Sequence, residues 1–77
     1  MRSELILYGT VGCHLCDDAE RLLISLELAY QYADIIDDDS LFEQFATSIP
    51  VLCDAAKREP LYWPFTTLEI TDWLLQR

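Results

Sequence analysis

The sequence predicts an α/β domain in which a four-stranded mixed sheet carries helices on both of its faces. Short apolar runs such as LILY and IPVLC have the length of buried strands, amphipathic segments lie between them, and residues with turn chemistry separate the two. The predicted order is β-α-β-α-β-β-α, in which the first β-α-β unit implies a parallel pair with a right-handed crossover. A chain of 77 residues has the length of one domain, so residues 1–77 are predicted to fold as a single unit.

The first half of the chain predicts a strand, a helix and a second strand. Glu4 to Tyr8 form the first strand, because LILY is continuously apolar and is followed by Gly9 and Gly12. Residues 14–28 are predicted to form an amphipathic helix, and the Tyr- and Ile-rich segment 30–36 is predicted to be the second strand. The apolar residues at helical spacing are Ala19, Leu22, Leu23 and Leu26.

The middle of the chain predicts a short second helix. The acidic run Asp37, Asp38 and Asp39 is expected to act in helix capping and solvation rather than in metal binding. Ser40 and Glu43 have the spacing of a capping box. The inward face of this helix is predicted to consist of Leu41, Phe42 and Phe45.

The last third predicts two strands and a final helix. Segment 48–54, SIPVLCD, is apolar with a proline near its start, and after the polar turn DAAKRE the segment 61–63 is its short partner. Thr66 and Glu69 have capping-box spacing and open a helix through Gln76. The apolar stripe of this helix is Ile70, Trp73 and Leu74.

The charge balance excludes one large class of partner. Five basic residues stand against fourteen acidic ones, for a formal net charge of −9, and the basic residues are scattered. Because nucleic-acid affinity comes mostly from neutralising phosphates, nucleic acid is not expected as a main partner.

No apolar run approaches the roughly 20 residues of a membrane span, and the N-terminal residues lack the pattern of a secretory signal. We therefore expect an acidic, cytoplasmic protein with no membrane partner, and a monomer.

Two cysteines three residues apart, Cys13 and Cys16, carry the strongest chemical signal. As a staple they would close only a four-residue ring, which contributes about 2 kcal/mol before strain. A tetrahedral zinc site needs four ligands, and beyond the pair the chain offers only Cys53 and His14. In a reducing compartment such a pair serves redox or metal chemistry more often than scaffolding, and redox exchange is the favoured interpretation.

The sequence resembles the glutaredoxin branch of the thioredoxin superfamily, and most closely the small bacterial glutaredoxin-like proteins with a Cys-His-Leu-Cys motif. The resemblance covers the whole chain and rests on the strand LILY, on Cys13-His14-Leu15-Cys16 and on Ser48-Ile49-Pro50. It implies a thioredoxin-like (glutaredoxin) fold and a cis peptide bond before Pro50, across from the cysteines. It also implies a thiol–disulfide oxidoreductase.

The two cysteines are expected to play different roles. At the start of a helix, Cys13 would face unpaired backbone N–H groups and the positive end of the helix dipole, both of which favour a thiolate, so Cys13 is the candidate nucleophile. Cys16, one turn further in, is the candidate resolving thiol. The carboxylates of Asp17 and Asp18 disfavour a Cys13 thiolate, whereas a protonated His14 favours it. We expect Cys13 to be less acidic than the nucleophile of typical glutaredoxins, because the lysine that these proteins hold before it is missing.

The candidate substrate contacts surround the motif. The backbone of Ile49 is expected to pair with an extended peptide or with glutathione. The segment Trp63-Pro64-Phe65-Thr66-Thr67 replaces the Gly-Gly and Asp-Asp pattern that receives glutathione in the family. Expected partners are a disulfide-containing protein or a glutathione mixed disulfide, with no tightly bound cofactor and with glutathione as one candidate reductant. The candidate contact residues are Ile49, Pro50, His14, Leu15, Thr66 and Thr67.

Other interpretations remain open. The chain could be a non-catalytic module that binds a metal or an iron–sulfur cluster, including a cluster shared between two chains through Cys13 and glutathione. It could also be an interaction domain whose acidic surface selects basic partners. Cys53, Trp63 and Phe65 are expected to be core residues rather than site residues.

Overall fold

The computed structural model describes residues 5–55 and 59–76. The observed order agrees with the predicted α/β class. In chain order the elements are β1 (Leu5–Gly9), α1 (His14–Ser25), β2 (Tyr30–Asp34), a 3₁₀ turn (Ile35–Asp37), α2 (Asp39–Phe45), β3 (Val51–Asp54), β4 (Leu61–Tyr62) and α3 (Thr67–Leu75).

The four strands form one mixed sheet in the order β2-β1-β3-β4. Strand β1 runs parallel to β2, with Gly9 beside Asp34 at the end of the pair. It runs antiparallel to β3, which pairs antiparallel with β4. The ends of β1 and β2 therefore meet at one edge of the sheet, where the loop to α1 begins.

Helices cover both faces of this sheet, as predicted. Alternation along the strands sends Leu7 and Leu52 to one face, where they pack with Leu23 of α1 and Ile70 of α3. Val51 points to the other face and packs with Phe45 and Ile35. Two helices thus lie on one side and α2 on the other. Helix α1 is held with its N-terminus near the end of β1.

Several boundaries differ from the predicted ones by a few residues. Helix α1 ends at Ser25 rather than at residue 28, because Glu27 has a φ of 57° and turns the chain toward β2. Strand β2 ends at Asp34 rather than at residue 36, and the next residue, Ile35, is buried in a 3₁₀ turn. Helix α3 ends at Leu75, with Gln76 as its cap.

The third strand is also shorter than predicted. It covers Val51–Asp54 rather than residues 48–54, because Ser48 and Ile49 donate their N–H groups to the carbonyl oxygen of Phe45 instead of to a strand. Strand β4 covers Leu61–Tyr62. The predicted strand residue Glu4 and part of the predicted turn, 56–58, lie outside the described residues.

The predicted start of α2 is wrong in its capping residue. The N-cap is Asp38, whose Oδ1 accepts hydrogen bonds from the N–H groups of Ser40 (2.8 Å) and Leu41 (3.2 Å). Ser40 therefore lies inside the helix. Phe42, predicted to face inward, is 47% exposed, whereas Phe45 is buried. The interpretation of the acidic run as a helix cap is confirmed, and the capping box at Ser40 and Glu43 is not.

Within residues 5–55 and 59–76, every helix is too short or too polar to cross a bilayer.

Candidate active site

The cysteine pair lies at the N-terminus of α1 and is joined as a disulfide. The two Cα atoms are 5.2 Å apart, within the ordinary range for a disulfide. Cys16 has no exposed surface, whereas Cys13 is partly exposed. An incoming thiol can therefore reach Cys13 more easily than Cys16.

Cys13 is the N-cap residue of α1. Its Sγ accepts a hydrogen bond of 3.1 Å from the N–H of Cys16, and its carbonyl accepts the N–H of Asp17. N–H groups of the first helical turn point outward without a partner in the helix, so they favour negative charge on the capping atom. This geometry matches the environment expected for a thiolate on Cys13.

The loop before Cys13 is held by a carboxylate from β2. Asp34 accepts hydrogen bonds from the N–H groups of Val11 (3.3 Å) and Ile36 (3.0 Å), and from the Thr10 hydroxyl. The hydrogen bond from Ile36 N–H, with those from Thr10 and Val11, lowers the pKa of Asp34 and outweighs the desolvation that raises it. Asp34 is thus a charged anchor for the segment that leads to the cysteines.

A second residue of β2 supports the same loop. The hydroxyl of Tyr32 donates a 3.1 Å hydrogen bond to the carbonyl oxygen of Thr10. Tyr32 and Asp34 are two residues apart, so they extend from the same face of β2. Neither was identified from the sequence. The signal was available, because parallel β1 and β2 bring their C-terminal ends together and place the last residues of β2 beside the loop after β1.

Gly9 lets two side chains approach the end of β1. A Cβ atom built on Gly9 would lie 2.5 Å from the Tyr32 hydroxyl oxygen and 2.8 Å from Cys16 Sγ. These contacts are shorter than real Cβ contacts, so glycine is required by space rather than by its backbone angle. The Tyr32 hydroxyl and the Cys16 sulfur consequently both lie close to the space that a side chain at residue 9 would occupy.

Pro50 follows a cis peptide bond from Ile49, as the resemblance implies, and its side chain is fully buried. Strand β3 begins at the next residue, and Val51 pairs with Tyr8 of β1. Continuing this antiparallel register by one residue brings Pro50 beside Gly9, at the edge of the sheet that holds the cysteines. A second cis bond, between Trp63 and Pro64, was not predicted.

The remaining candidate contacts fall into two groups. His14 and Leu15 lie between the cysteines and are exposed, Leu15 to 47%. Thr66 is the N-cap of α3, and the capping box with Glu69 is confirmed: Thr66 Oγ1 accepts the N–H of Glu69 (3.2 Å), and Glu69 Oε1 accepts the N–H of Thr66 (2.9 Å). Thr67 is the first residue of α3 and is half-buried. The role of Thr66 that the structure shows is therefore structural.

Cys53 lies on β3 beside the second core cluster and is half-buried. Burial raises the pKa of its thiol. In the same cluster, the rings of Tyr8 and Phe45 stack with centroids 5.4 Å apart. Phe65 is buried in the other cluster, which confirms the prediction that it is a core residue. Trp63 and Cys53 were also predicted to be core residues, but each is partly buried and packs against a cluster.

Carboxylates dominate the charge near the site. Over residues 5–55 and 59–76, Arg21 is the one lysine or arginine, and it forms an ion pair of 2.6 Å with Asp18. The same described residues contain no cluster of three or more His, Cys, Asp or Glu side chains arranged to hold a metal ion.

Comparison with protein-family models matches residues 4–75 to the Glutaredoxin-like domain (DUF836). Among solved structures, the X-ray structure of target protein XcR50 from X. campestris is 37% identical, with 91% of this chain and 93% of that chain covered and a TM-score of 0.83. The solution structure of the same protein has a TM-score of 0.80. The solution structure of protein Ne2328 from Nitrosomonas europaea is 22% identical over 95% of this chain and 92% of that one, with a TM-score of 0.81, and this likeness concerns the fold. No curated protein matches the chain.

Proposed function

Because the chain belongs to the glutaredoxin-like domain family, we propose that it is a thiol–disulfide oxidoreductase that exchanges disulfides through Cys13 and Cys16. The observation that carries this proposal is the disulfide at the start of α1, in which one cysteine is partly exposed and the other is fully buried. A structural staple would need no such difference. A redox pair does, because one sulfur must meet the substrate and the other must be kept for the internal step.

In the proposed reaction the reduced protein attacks a substrate disulfide with the Cys13 thiolate. The substrate bond breaks, a mixed disulfide forms on Cys13 Sγ, and one substrate sulfur leaves as a thiolate. Cys16 then attacks Cys13 Sγ, which releases the second substrate thiolate and leaves the observed Cys13–Cys16 bond. The substrate gains two electrons and the pair loses two. A reducing thiol reverses these steps to regenerate the protein.

The position of Cys13 supports its role as nucleophile. Its sulfur accepts the N–H of Cys16 at the positive end of α1, which stabilises a thiolate. The lysine of typical glutaredoxins is absent, and Asp17 and Asp18 follow closely. The proposal therefore depends on the helix terminus rather than on a neighbouring cation for thiolate stabilisation.

The proposed substrates are disulfide-containing proteins or glutathione mixed disulfides. Continuation of the sheet register puts Pro50 beside Gly9, and Cys16 Sγ is also close to Gly9, which supports the proposal that the backbone of Ile49 pairs with an extended substrate chain. His14 and Leu15 are exposed and directly follow Cys13 in the chain, and we propose them as further contacts. The proposal includes a cytoplasmic setting, in which reducing systems keep thiols available.

An intact-mass redox titration in glutathione buffers tests the proposal. Cys53→Ser serves as the background for every sample, so that only the pair can react. We expect the intact mass of this protein to fall by two hydrogen atoms, as two protons and two electrons, at a defined glutathione redox potential. We expect a Cys16→Ser variant to trap a mixed disulfide on Cys13. A matched Cys13→Ser variant should trap far less adduct, because Cys16 is buried.

Two results would contradict the proposal. One is a pair that stays reduced across the titration, and the other is equal adduct formation on Cys13 and Cys16. Metal or colour that travels with anaerobically purified protein, together with an unreactive pair, would instead favour a metal- or cluster-binding module.

A further inference from the structure

The hydroxyl group of Tyr32 and the buried sulfur of the cysteine pair both lie close to Gly9. A Cβ on Gly9 would touch both the Tyr32 hydroxyl oxygen, at 2.5 Å, and Cys16 Sγ, at 2.8 Å. The two atoms are therefore separated by no more than the sum of these distances. Tyr32 is 38% exposed, so it reaches from the surface toward a sulfur that has no exposed surface.

Cys16 must carry a negative charge in every exchange step, although its sulfur is buried. When a thiol attacks the disulfide at Cys13, Cys16 leaves as a thiolate, and in the reverse step it must be a thiolate to attack. Water stabilises such a charge at the surface, but Cys16 has no exposed surface. A buried anion without a hydrogen-bond donor is costly. The backbone N–H of Cys16 is directed to Cys13 Sγ and not to its own sulfur.

We propose that the Tyr32 hydroxyl is the hydrogen-bond donor that stabilises the Cys16 thiolate during disulfide exchange. This inference rests on the proposed function. An incoming thiolate forms a bond to Cys13 Sγ, the Cys13–Cys16 bond breaks, and its electron pair stays on Cys16 Sγ. The Tyr32 side chain swings its O–H from the Thr10 carbonyl to within hydrogen-bond distance of this sulfur, and the sulfur later takes its proton from solvent. Tyr32 keeps its own proton throughout.

The surroundings of Tyr32 keep it in the form that can donate. Burial raises the pKa of the phenol, and the carboxylates of Glu20, Asp34 and Asp17 raise it further, which outweighs the lowering effect of the hydrogen bond to Thr10. Glu20 and Asp17 belong to α1, and Asp34 belongs to β2, the strand that also carries Tyr32. A phenolate would add a negative charge beside Cys16, whereas the neutral phenol offers a proton.

Tyr32→Phe removes this donor with little change in volume, and Tyr30→Phe is its matched control. Tyr30 is two residues earlier on the same face of β2, but its hydroxyl donates to Glu20. The first measurement is the rate at which dithiothreitol reduces the Cys13–Cys16 disulfide, in the Cys53→Ser background. Loss of a hydrogen bond to a charged group should slow this step about tenfold in Tyr32→Phe. Tyr30→Phe should react at the parent rate.

The second measurement separates a donor from a merely structural side chain. An NMR titration of the Cys16 Cβ resonance in reduced Cys13→Ser protein should show a midpoint about one pH unit higher with Tyr32→Phe. The Cys13 Cβ resonance, followed in Cys16→Ser protein, should keep its midpoint. Equal shifts at both cysteines would mean that Tyr32 acts only by holding the loop through Thr10, and they would overturn the proposal. So would unchanged rates and midpoints.

These outcomes are distinct from failure of the proposed function. If the Cys13–Cys16 pair exchanges with glutathione but its rate and the Cys16 midpoint do not change with Tyr32→Phe, only the role of Tyr32 is disproved. A pair that does not exchange at all disproves the function.

Discussion

Asp34 is an acidic side chain whose main effect is on backbone geometry. Its carboxylate binds N–H groups on both sides, at Val11 in the loop before Cys13 and at Ile36 in the 3₁₀ turn. A carboxylate accepts such bonds more strongly than a neutral group does. The residue therefore links the position of the candidate nucleophile to the end of β2.

This linkage predicts a pH dependence of stability. Folding lowers the pKa of Asp34 below its ordinary value of 3.8, so the folded protein resists protonation of this group. Its contribution to stability is fully present above 3.8 and is lost as the pH falls through the lower folded value. Asp34→Asn should therefore destabilise the protein at neutral pH, and the difference from the parent should shrink in acid.

Urea unfolding of both proteins across acidic and neutral pH measures this difference. Asp72→Asn is the control, because Asp72 is an exposed carboxyl on α3, away from this loop. A difference between parent and Asp34→Asn that stays constant with pH would contradict the linkage.

Helix α2 shows how an element can begin at a residue other than the one that its local pattern favours. Ser40 and Glu43 have the capping-box spacing, but Asp38 caps the helix. Burial of Ile35 ends β2 in a 3₁₀ turn, which closes at Asp38 and leaves this residue with extended backbone angles. The cap is thus fixed by the preceding turn.

Alanine substitutions test this assignment. Asp38→Ala removes an acceptor from two backbone N–H groups and should lower the free energy of unfolding by about 1 kcal/mol. Ser40→Ala, the control inside the helix, should change it by less than about 0.5 kcal/mol. Chemical denaturation of the two variants compares them directly. A larger loss for Ser40→Ala would restore the capping box predicted from the sequence.

The whole molecule carries a net charge of −9, and this field acts on every charged substrate. Near the disulfide, Asp17 and Asp34 contribute negative charge, while Arg21 is paired with Asp18. A dicationic disulfide such as cystamine should be reduced roughly tenfold faster at low salt than a dicarboxylate disulfide of the same length, because the field steers the cation inward.

Salt separates this steering from intrinsic reactivity. Raising the ionic strength to about 0.1 M shortens the screening length to about 10 Å, so the rate for the cation should fall and the rate for the anion should rise. Each pair of rates is compared with reduction by a small thiol alone under the same conditions. If the rates for the two disulfides do not change with ionic strength, the net charge has no part in substrate approach.

The amino-acid sequence determined the α/β class, the order of the elements and the two cysteines at a helix start. Each of these depends on local information: apolar periods of two or 3.6 residues, glycines and prolines that end elements, and a motif within four positions. The cis bond before Pro50 came from the family resemblance and is confirmed.

The tertiary structure decided what surrounds the disulfide. Tyr32 and Asp34 contact the loop before Cys13 across 22 and 23 residues of sequence, and Gly9 leaves space for Tyr32 and Cys16 together. These contacts exist because β1 and β2 pair in one parallel register, with Gly9 beside Asp34. No local pattern within either segment carries that register. The register follows from the packing of both strands against the same helices, and this packing forms only when the chain folds.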